Sequence, residues 1–180
     1  MTPPVVLVLA SGRGERFRAS GGQGSKLQAE LAGKPVLEHT LAAVRASGLR
    51  WHLEDAGHPG MGDSIAAAVR VTRDAAGWLV LPGDLPLVRP DSLQRVAQAL
   101  QQHAVVLPVH HGERGHPVGF GASCRAALLA LHGPEGAAGV VKQHLAAGTA
   151  LRLELDDPGI VTDIDTLGDL EQVRRRMAGD

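Results

Sequence analysis

"VVLVLASGRGERFRASGGQGSKL", residues 5–27, decides how the rest of the chain is read. Val5, Val6, Leu7, Val8 and Leu9 form an unbroken aliphatic run, the pattern of a strand buried on both faces of a parallel sheet. The run stops at Ala10. Five glycines (Gly12, Gly14, Gly21, Gly22, Gly24) then mix with four cationic side chains (Arg13, Arg16, Arg18, Lys26). Glycines after a buried strand let the backbone approach a ligand and turn its N–H groups inward, and anions suit such a site.

Two familiar anion-binding templates fail on this stretch. The dinucleotide fingerprint requires glycine where Phe17 stands, which with the loop cations disfavours an NAD-dependent oxidoreductase. The Walker A loop requires Gly-Lys followed by Ser or Thr, whereas the order here is Gly24-Ser25-Lys26-Leu27, 16 positions beyond Ala10. What the segment predicts is a triphosphate cradled by backbone amides and neutralised by Arg13, Arg16 and Lys26. Arg18 is assigned to solvent.

The wider composition sets bounds. A chain of 180 residues predicts one domain that folds without disulfide or metal. The single cysteine, Cys124, has no intrachain partner, in keeping with a reducing compartment. A formal charge of −1 speaks against DNA or RNA as the main partner. No apolar run is long enough to span a bilayer, and none reads as a signal peptide, so a cytoplasmic protein is expected. With no tyrosine and only four Trp or Phe residues, the core is expected to rest on Ala, Leu and Val.

Downstream, strand and helix signals alternate. Apolar residues recur at helical spacing from Val36 to Val44, and Gly48 stands at a C-cap position. Leu49–Leu53 reads as a strand, and "HPGMGDSIAAAVRVT" as a helix N-capped by Asp63 or Ser64. Trp78–Leu81 is a strand ending in Pro82-Gly83-Asp84, and Pro90-Asp91 opens a helix to Leu100. Strands at 104–109 and 117–120 flank the hairpin-like "HHGERGH"; helices at 122–131 and 136–147 and a strand at 151–155 follow. Thr166 and Asp169 read as a capping box for a last helix, whose Arg174, Arg175 and Arg176 suit the negative end of its dipole. The alternation predicts a three-layer α/β/α sandwich with right-handed crossovers.

Asp84 lies just past the carboxyl end of a strand, where open α/β sheets place their ligand crevice. If that strand neighbours the first, the carboxylate faces the phosphate loop, and a divalent cation is needed between the two; Mg²⁺ is the expected ion. Asp163 and Asp165 share one face of an extended segment and either reaches such a site; Asp165 is taken as the second ligand. Asp156 and Asp157 read as turn residues before Pro158-Gly159. The neighbouring His110 and His111 are expected on opposite faces of a strand, which argues against a shared metal. Cys124 reads as a small buried residue.

"LVLASGRGERF", "SKLQAELAGKPVLEHTLAAV", "GMGDSIAAAV", "WLVLPGDLPLVRPDSL", "RGHPVGFG" and "DIDTLGDL" occur in this order. Together they resemble the molybdenum cofactor cytidylyltransferases, within the MobA-like nucleotidyltransferases, along nearly the whole chain. The resemblance implies a Rossmann-like fold of the nucleotide-diphospho-sugar transferase type, shortened after the first helix because 11 residues separate Gly48 from Gly60. It implies one domain, with CTP bound in residues 1–100 and the pterin phosphate in 101–180. On the nucleotide side it points to Leu9, Ala10, Ser11, Gly12, Arg13, Arg16, Lys26, Gly60, Gly62 and Ser64. On the acceptor side it points to Arg114, His116 and Pro117. Arg13, Lys26 and Asp84 are the expected catalytic groups, and Asp84 and Asp165 the Mg²⁺ ligands. An apo-molybdoenzyme is an implied partner. Ser11, bulkier than glycine, leans towards CTP over GTP. Gly133-Pro134-Glu135-Gly136 stands where the family has Gly-Asp-x-Gly, and Leu167 where it has proline. A GTP-using enzyme, a sugar- or alcohol-phosphate acceptor, and a non-catalytic carrier of nucleotide or cofactor remain the alternatives.

Overall fold

The computed structural model describes residues 3–12 and 14–179. Strand β1, Val5–Leu9, is fully enclosed. It pairs in parallel with β4 (Arg50–Glu54) on one side and β5 (Gly77–Pro82) on the other. Beyond β5 come β8 (Val118–Gly121), β6 (Val105–His110), and then the short β7 (Glu113–Arg114) and β9 (Ala150–Glu154), giving seven strands in one sheet. β8 is antiparallel to both β5 and β6, whereas β9 is parallel to β6. Five strands therefore share one direction, with β7 and β8 reversed. A separate two-stranded ribbon joins β2 (Glu30–Leu31) to β3 (Lys34–Pro35).

Strand side chains alternate between faces, and each face finds its own helices. Val5, Leu7, Trp78, Val80, Val105 and Leu107 pack on α3 (Met61–Val71), α5 (Arg125–Leu129) and α6 (Ala138–Ala146). Val6, Val8, Leu79, Leu81 and Val106 pack on α2 (Val36–Ala46) and α4 (Pro90–Ala99). A third cluster joins Phe17 of α1 (Glu15–Ala19) to Leu170 and Val173 of α7 (Leu167–Met177). The expected three layers are present. The aliphatic core has aromatic anchors too: Trp78, Phe17 and Phe120 are among its largest fully buried side chains.

From β1 the chain crosses to β4 on one side and next to β5 on the other, through α2 and α3 on opposite faces. That reversal at the carboxyl end of β1 is a topological switch point, where an open sheet leaves a crevice.

Three local readings change. α3 begins at Met61 with Gly60 as its extended N-cap, not Asp63 or Ser64. The Asp63 carboxylate instead accepts the Gly133 N–H at 3.1 Å, tying the 133–136 turn to the helix start. His110 and His111 do not diverge: their rings stack at 4.0 Å, because His111 has left the strand for the hairpin turn with φ +48°. The helical signals at 122–131 and 136–147 shrink to α5 and α6. The capping box at Thr166–Asp169 forms as expected, and Cys124 is buried.

Candidate active site

The turn after β5 is held by its neighbours. The Gly83 N–H donates to the Leu9 carbonyl at the end of β1 (2.9 Å), and the buried Thr40 hydroxyl of α2 donates to the Gly83 carbonyl (2.7 Å). Asp84 therefore stands two residues past a strand that lies beside β1. Its own carbonyl accepts the Ile164 N–H at 3.1 Å. Ile164 is fully buried in the third cluster, so this single bond brings both flanking carboxylates, Asp163 and Asp165, to Asp84. One oxygen from each of the three lies within 4.8 Å of the others.

Lys26 enters from the end of the glycine-rich loop, on a short 3-10 turn. Its ammonium donates to Asp84 Oδ2 at 2.9 Å and to Asp165 Oδ1 at 3.1 Å. Arg16, on α1, donates to Asp165 Oδ2 at 3.1 Å from an exposed position. Burial alone would push the Lys26 amine down, but the charges and hydrogen bonds of Asp84 and Asp165 outweigh it and hold it above its ordinary value. Asp165 is likewise resisted by burial yet held low, chiefly by Lys26 and then by Asp163 and Arg16. Asp163 is pushed up by partial burial and by the facing charges of Asp165 and Asp84.

A divalent cation fits these residues. Among the described residues, buried Asp84 Oδ1 has no hydrogen-bond partner, so the site offers an unspent anionic oxygen. The donor set is all carboxylate, which suits a hard ion such as Mg²⁺ or Mn²⁺. Asp163 joins the pair Asp84 and Asp165 that the sequence singled out. Its signal was the alternation around Ile164.

Asp84 and Lys26 of this cluster line a cavity of about 230 Å³ at the switch point. Leu9, Ser11, Gly12, Lys26, Gly60, Ser64 and Asp84 all line it, together with His58, Pro59 and Met61. Arg16 borders the adjoining open depression with Gly12 and Asp165. Ala10 is used structurally, its N–H donating to the Glu54 carbonyl at 2.9 Å. Gly62 lies under the 132–133 backbone, where a Cβ would come within 2.8 Å of the His132 carbonyl, so close packing requires its glycine. Gly22 also answers to packing: a side chain there would overlap the Phe17 ring. Arg13 lies outside the described residues.

A second cavity, of about 250 Å³, shares Met61 as a wall. Ile65, Val80, Leu107, Val118, Phe120 and Val141 make most of its lining apolar, and Arg114, His116 and Glu135 supply the polar groups. Pro117 is buried behind it, joined to His116 by a cis peptide. Burial depresses the His116 imidazole below its ordinary value, and the charge of Asp84 offsets only part of this.

A family model for the MobA-like NTP transferase domain matches residues 42–149. The chain belongs to this family. It is 31% identical to the bifunctional protein GlmU of Xanthomonas axonopodis pv. citri over 205 aligned positions, covering 99% of this chain and 41% of that protein. The chain thus spans about two fifths of the length of the curated relatives it matches. Among solved structures it resembles Mth528, a nucleotidyl transferase from Methanothermobacter thermautotroptrophicus (TM-score 0.82, 20% identity, 99% of both chains). It also resembles the manganese complex of Rv0371c from Mycobacterium tuberculosis (TM-score 0.70, 22% identity, 97% of this chain and 98% of that one). These likenesses establish the family's fold, a Rossmann-like sheet flanked by helices. No helix of the described residues is long and apolar enough to cross a membrane.

Proposed function

We propose that the chain transfers a nucleotidyl group from a nucleoside triphosphate, CTP on this reading, to the phosphate of a pterin cofactor of the molybdopterin type, releasing pyrophosphate. The observation that carries the proposal is the gathering of Lys26, Asp163 and Asp165 around Asp84, which with Lys26 lines a cavity at the end of β1. Within a single domain, residues 1–100 supply most of the nucleotide side, joined by Asp163 and Asp165, and residues 101–180 most of the acceptor side, joined by Met61, Ile65 and Val80.

The triphosphate lies with its charge against Lys26, Arg16 and the Gly12 backbone, and its base towards His58, Pro59 and Ser11. Asp84, Asp163 and Asp165 would hold Mg²⁺, which when bound supplies Lewis-acid neutralisation of phosphate charge. An oxygen of the acceptor phosphate attacks the α-phosphorus. A P–O bond forms there, the α–β bridge breaks, and pyrophosphate leaves with the electron pair. The attacking oxygen is already anionic, so no general base is needed, and the protein's task is positioning and electrostatic stabilisation. Lys26 neutralises charge on the leaving group. His116, neutral in its buried setting, orients the acceptor through a hydrogen bond without adding charge. The apolar second cavity suits a flat heterocycle better than a polyhydroxylated sugar, whose hydroxyls would go unpaired against Ile65, Val118 and Phe120.

Pyrophosphate release tests the reading. Each of the four ribonucleoside triphosphates is paired in turn with molybdopterin and with hexose 1-phosphates, in Mg²⁺. Release confined to CTP with molybdopterin is expected. Equal release with a sugar phosphate refutes the pterin acceptor, and tight CTP binding without any release points to a carrier.

A further inference from the structure

On the other side of β1 from β5 and Asp84 stands a buried carboxylate between two imidazoles. Glu54, the last residue of β4, is 8% exposed. Its Oε1 lies 3.3 Å from His52 Nε2 and its Oε2 lies 3.2 Å from His58 Nε2. A buried carboxylate accepts hydrogen bonds and donates none, so both imidazoles present Nε2–H to it. With Nε2 carrying the proton, a neutral His58 has Nδ1 as a bare acceptor. Nδ1 has no hydrogen-bond partner among the described residues, and His58 lines the cavity.

Ser11 faces the same space and is committed in the same sense. Its hydroxyl donates to the Glu54 carbonyl at 3.2 Å, which uses its only proton and leaves lone pairs. Glu54 therefore sets the polarity of both groups, one through its carboxylate and one through its backbone. Both side chains therefore present acceptors to this cavity.

We infer that His58 and Ser11, held by Glu54, form a base-reading edge that selects a nucleotide presenting an exocyclic amino group and rejects one presenting a carbonyl oxygen there. The inference rests on the first cavity being the nucleotide site. His58 and Ser11 touch the base; Glu54 is a positioning residue. Cytosine and uracil differ at this edge by an amino group against a carbonyl, so CTP and UTP are the cleanest pair of probes. A carbonyl facing two unpaired acceptors loses about ten- to a hundredfold in affinity.

The test is calorimetric titration of the full chain with CTP and UTP in Mg²⁺, for the wild type, His58→Phe and His58→Asn, each checked for folding by its melting temperature. Wild type is expected to prefer CTP by tenfold or more. His58→Phe, which keeps the ring but not the nitrogen, is expected to bring the two within about threefold, chiefly by weakening CTP. His58→Asn, whose Oδ1 stands near the position of Nδ1, is expected to keep most of the preference. Nitrogen-15 imidazole spectra at pH 8 give a readout that mere folding does not move: the CTP complex should show His58 protonated at Nε2 and bare at Nδ1, and Glu54→Gln should alter that pattern. An undiminished preference in His58→Phe, or a protonated Nδ1 in the complex, overturns the base-reading role while leaving CTP as the substrate. Wild type that binds neither nucleotide, or both equally, overturns the CTP reading itself and the inference with it.

Discussion

The two cavities that meet at Met61 are built from opposite materials. The first is lined by Lys26 and Asp84, with Asp163 and Asp165 gathered on Asp84 and with Arg16 and Asp165 in the adjoining depression. The second is walled by Ile65, Val80, Leu107, Val118, Phe120 and Val141, with few polar groups. Charge held in place by the fold stabilises charge that moves during a reaction, and such effects appear in turnover. Apolar shape stabilises a bound group nearly equally before and during reaction, and such effects appear in apparent affinity. On the proposed function, chemistry belongs to the first cavity and acceptor recognition to the second.

Four experiments break or sharpen this division. The largest effect is expected for Asp84→Ala, which removes the buried central carboxylate: pyrophosphate release should fall about a hundredfold or more, from loss of on the order of 3 kcal/mol of stabilisation. Wild-type rates in that variant would break the assignment. Next is Lys26→Met, expected to slow release by about ten- to a hundredfold. The same change should tighten Mn²⁺ binding in the absence of nucleotide, because the ammonium no longer competes for Asp84 and Asp165. Titration calorimetry separates the two consequences, and weaker Mn²⁺ binding would count against the acidic cluster as the cation's seat.

The third experiment fills the second cavity. Val118→Trp is expected to raise the acceptor KM by about tenfold, the scale of a pocket shape change, and to leave CTP affinity unchanged. A loss confined to kcat would move the acceptor elsewhere. The smallest effect concerns pH. His116 has a folded-state value depressed by burial below 6.5. The unfolded chain takes up that proton more readily as pH falls below 6.5, so the stability this group contributes is present above that pH and lost beneath it. His116→Gln should make the decline in melting temperature between pH 7 and pH 5 shallower. An unchanged slope would show that His116 is not the group being protonated.

Much of this was legible in the residues. The aliphatic run of β1 and the abrupt glycine-rich loop after it announced a central parallel strand with a crevice at its carboxyl end. Asp84 was legible because Pro-Gly-Asp follows a second such run. Asp163 was visible as one of two candidates, and only the bond from the Ile164 N–H to the Asp84 carbonyl brought both to the site. Gly22 and Gly62 looked like ligand-cradling glycines and serve close packing, since a glycine's sequence context does not say which surface approaches it. His58 carried no signal, because its significance comes from Glu54, four residues back and on a different element. Nor did the sequence show that Glu135 faces the same cavity as Arg114 and His116.

By itself, then, the sequence determined what depends on neighbours along the chain: which segments are strands and helices, where the loop of backbone amides begins, and that an acid terminates the second aliphatic strand. Hydrophobic period, glycine conformational freedom and capping chemistry act over a few residues, so they can be read in one dimension. The tertiary structure alone decided which carboxylates gather, that Lys26 lies between two of them, and that a glutamate on β4 holds His58 and Ser11 beside the same cavity. Those are facts of distance across as many as 139 positions of chain, and electrostatics and hydrogen bonding depend on separation in space.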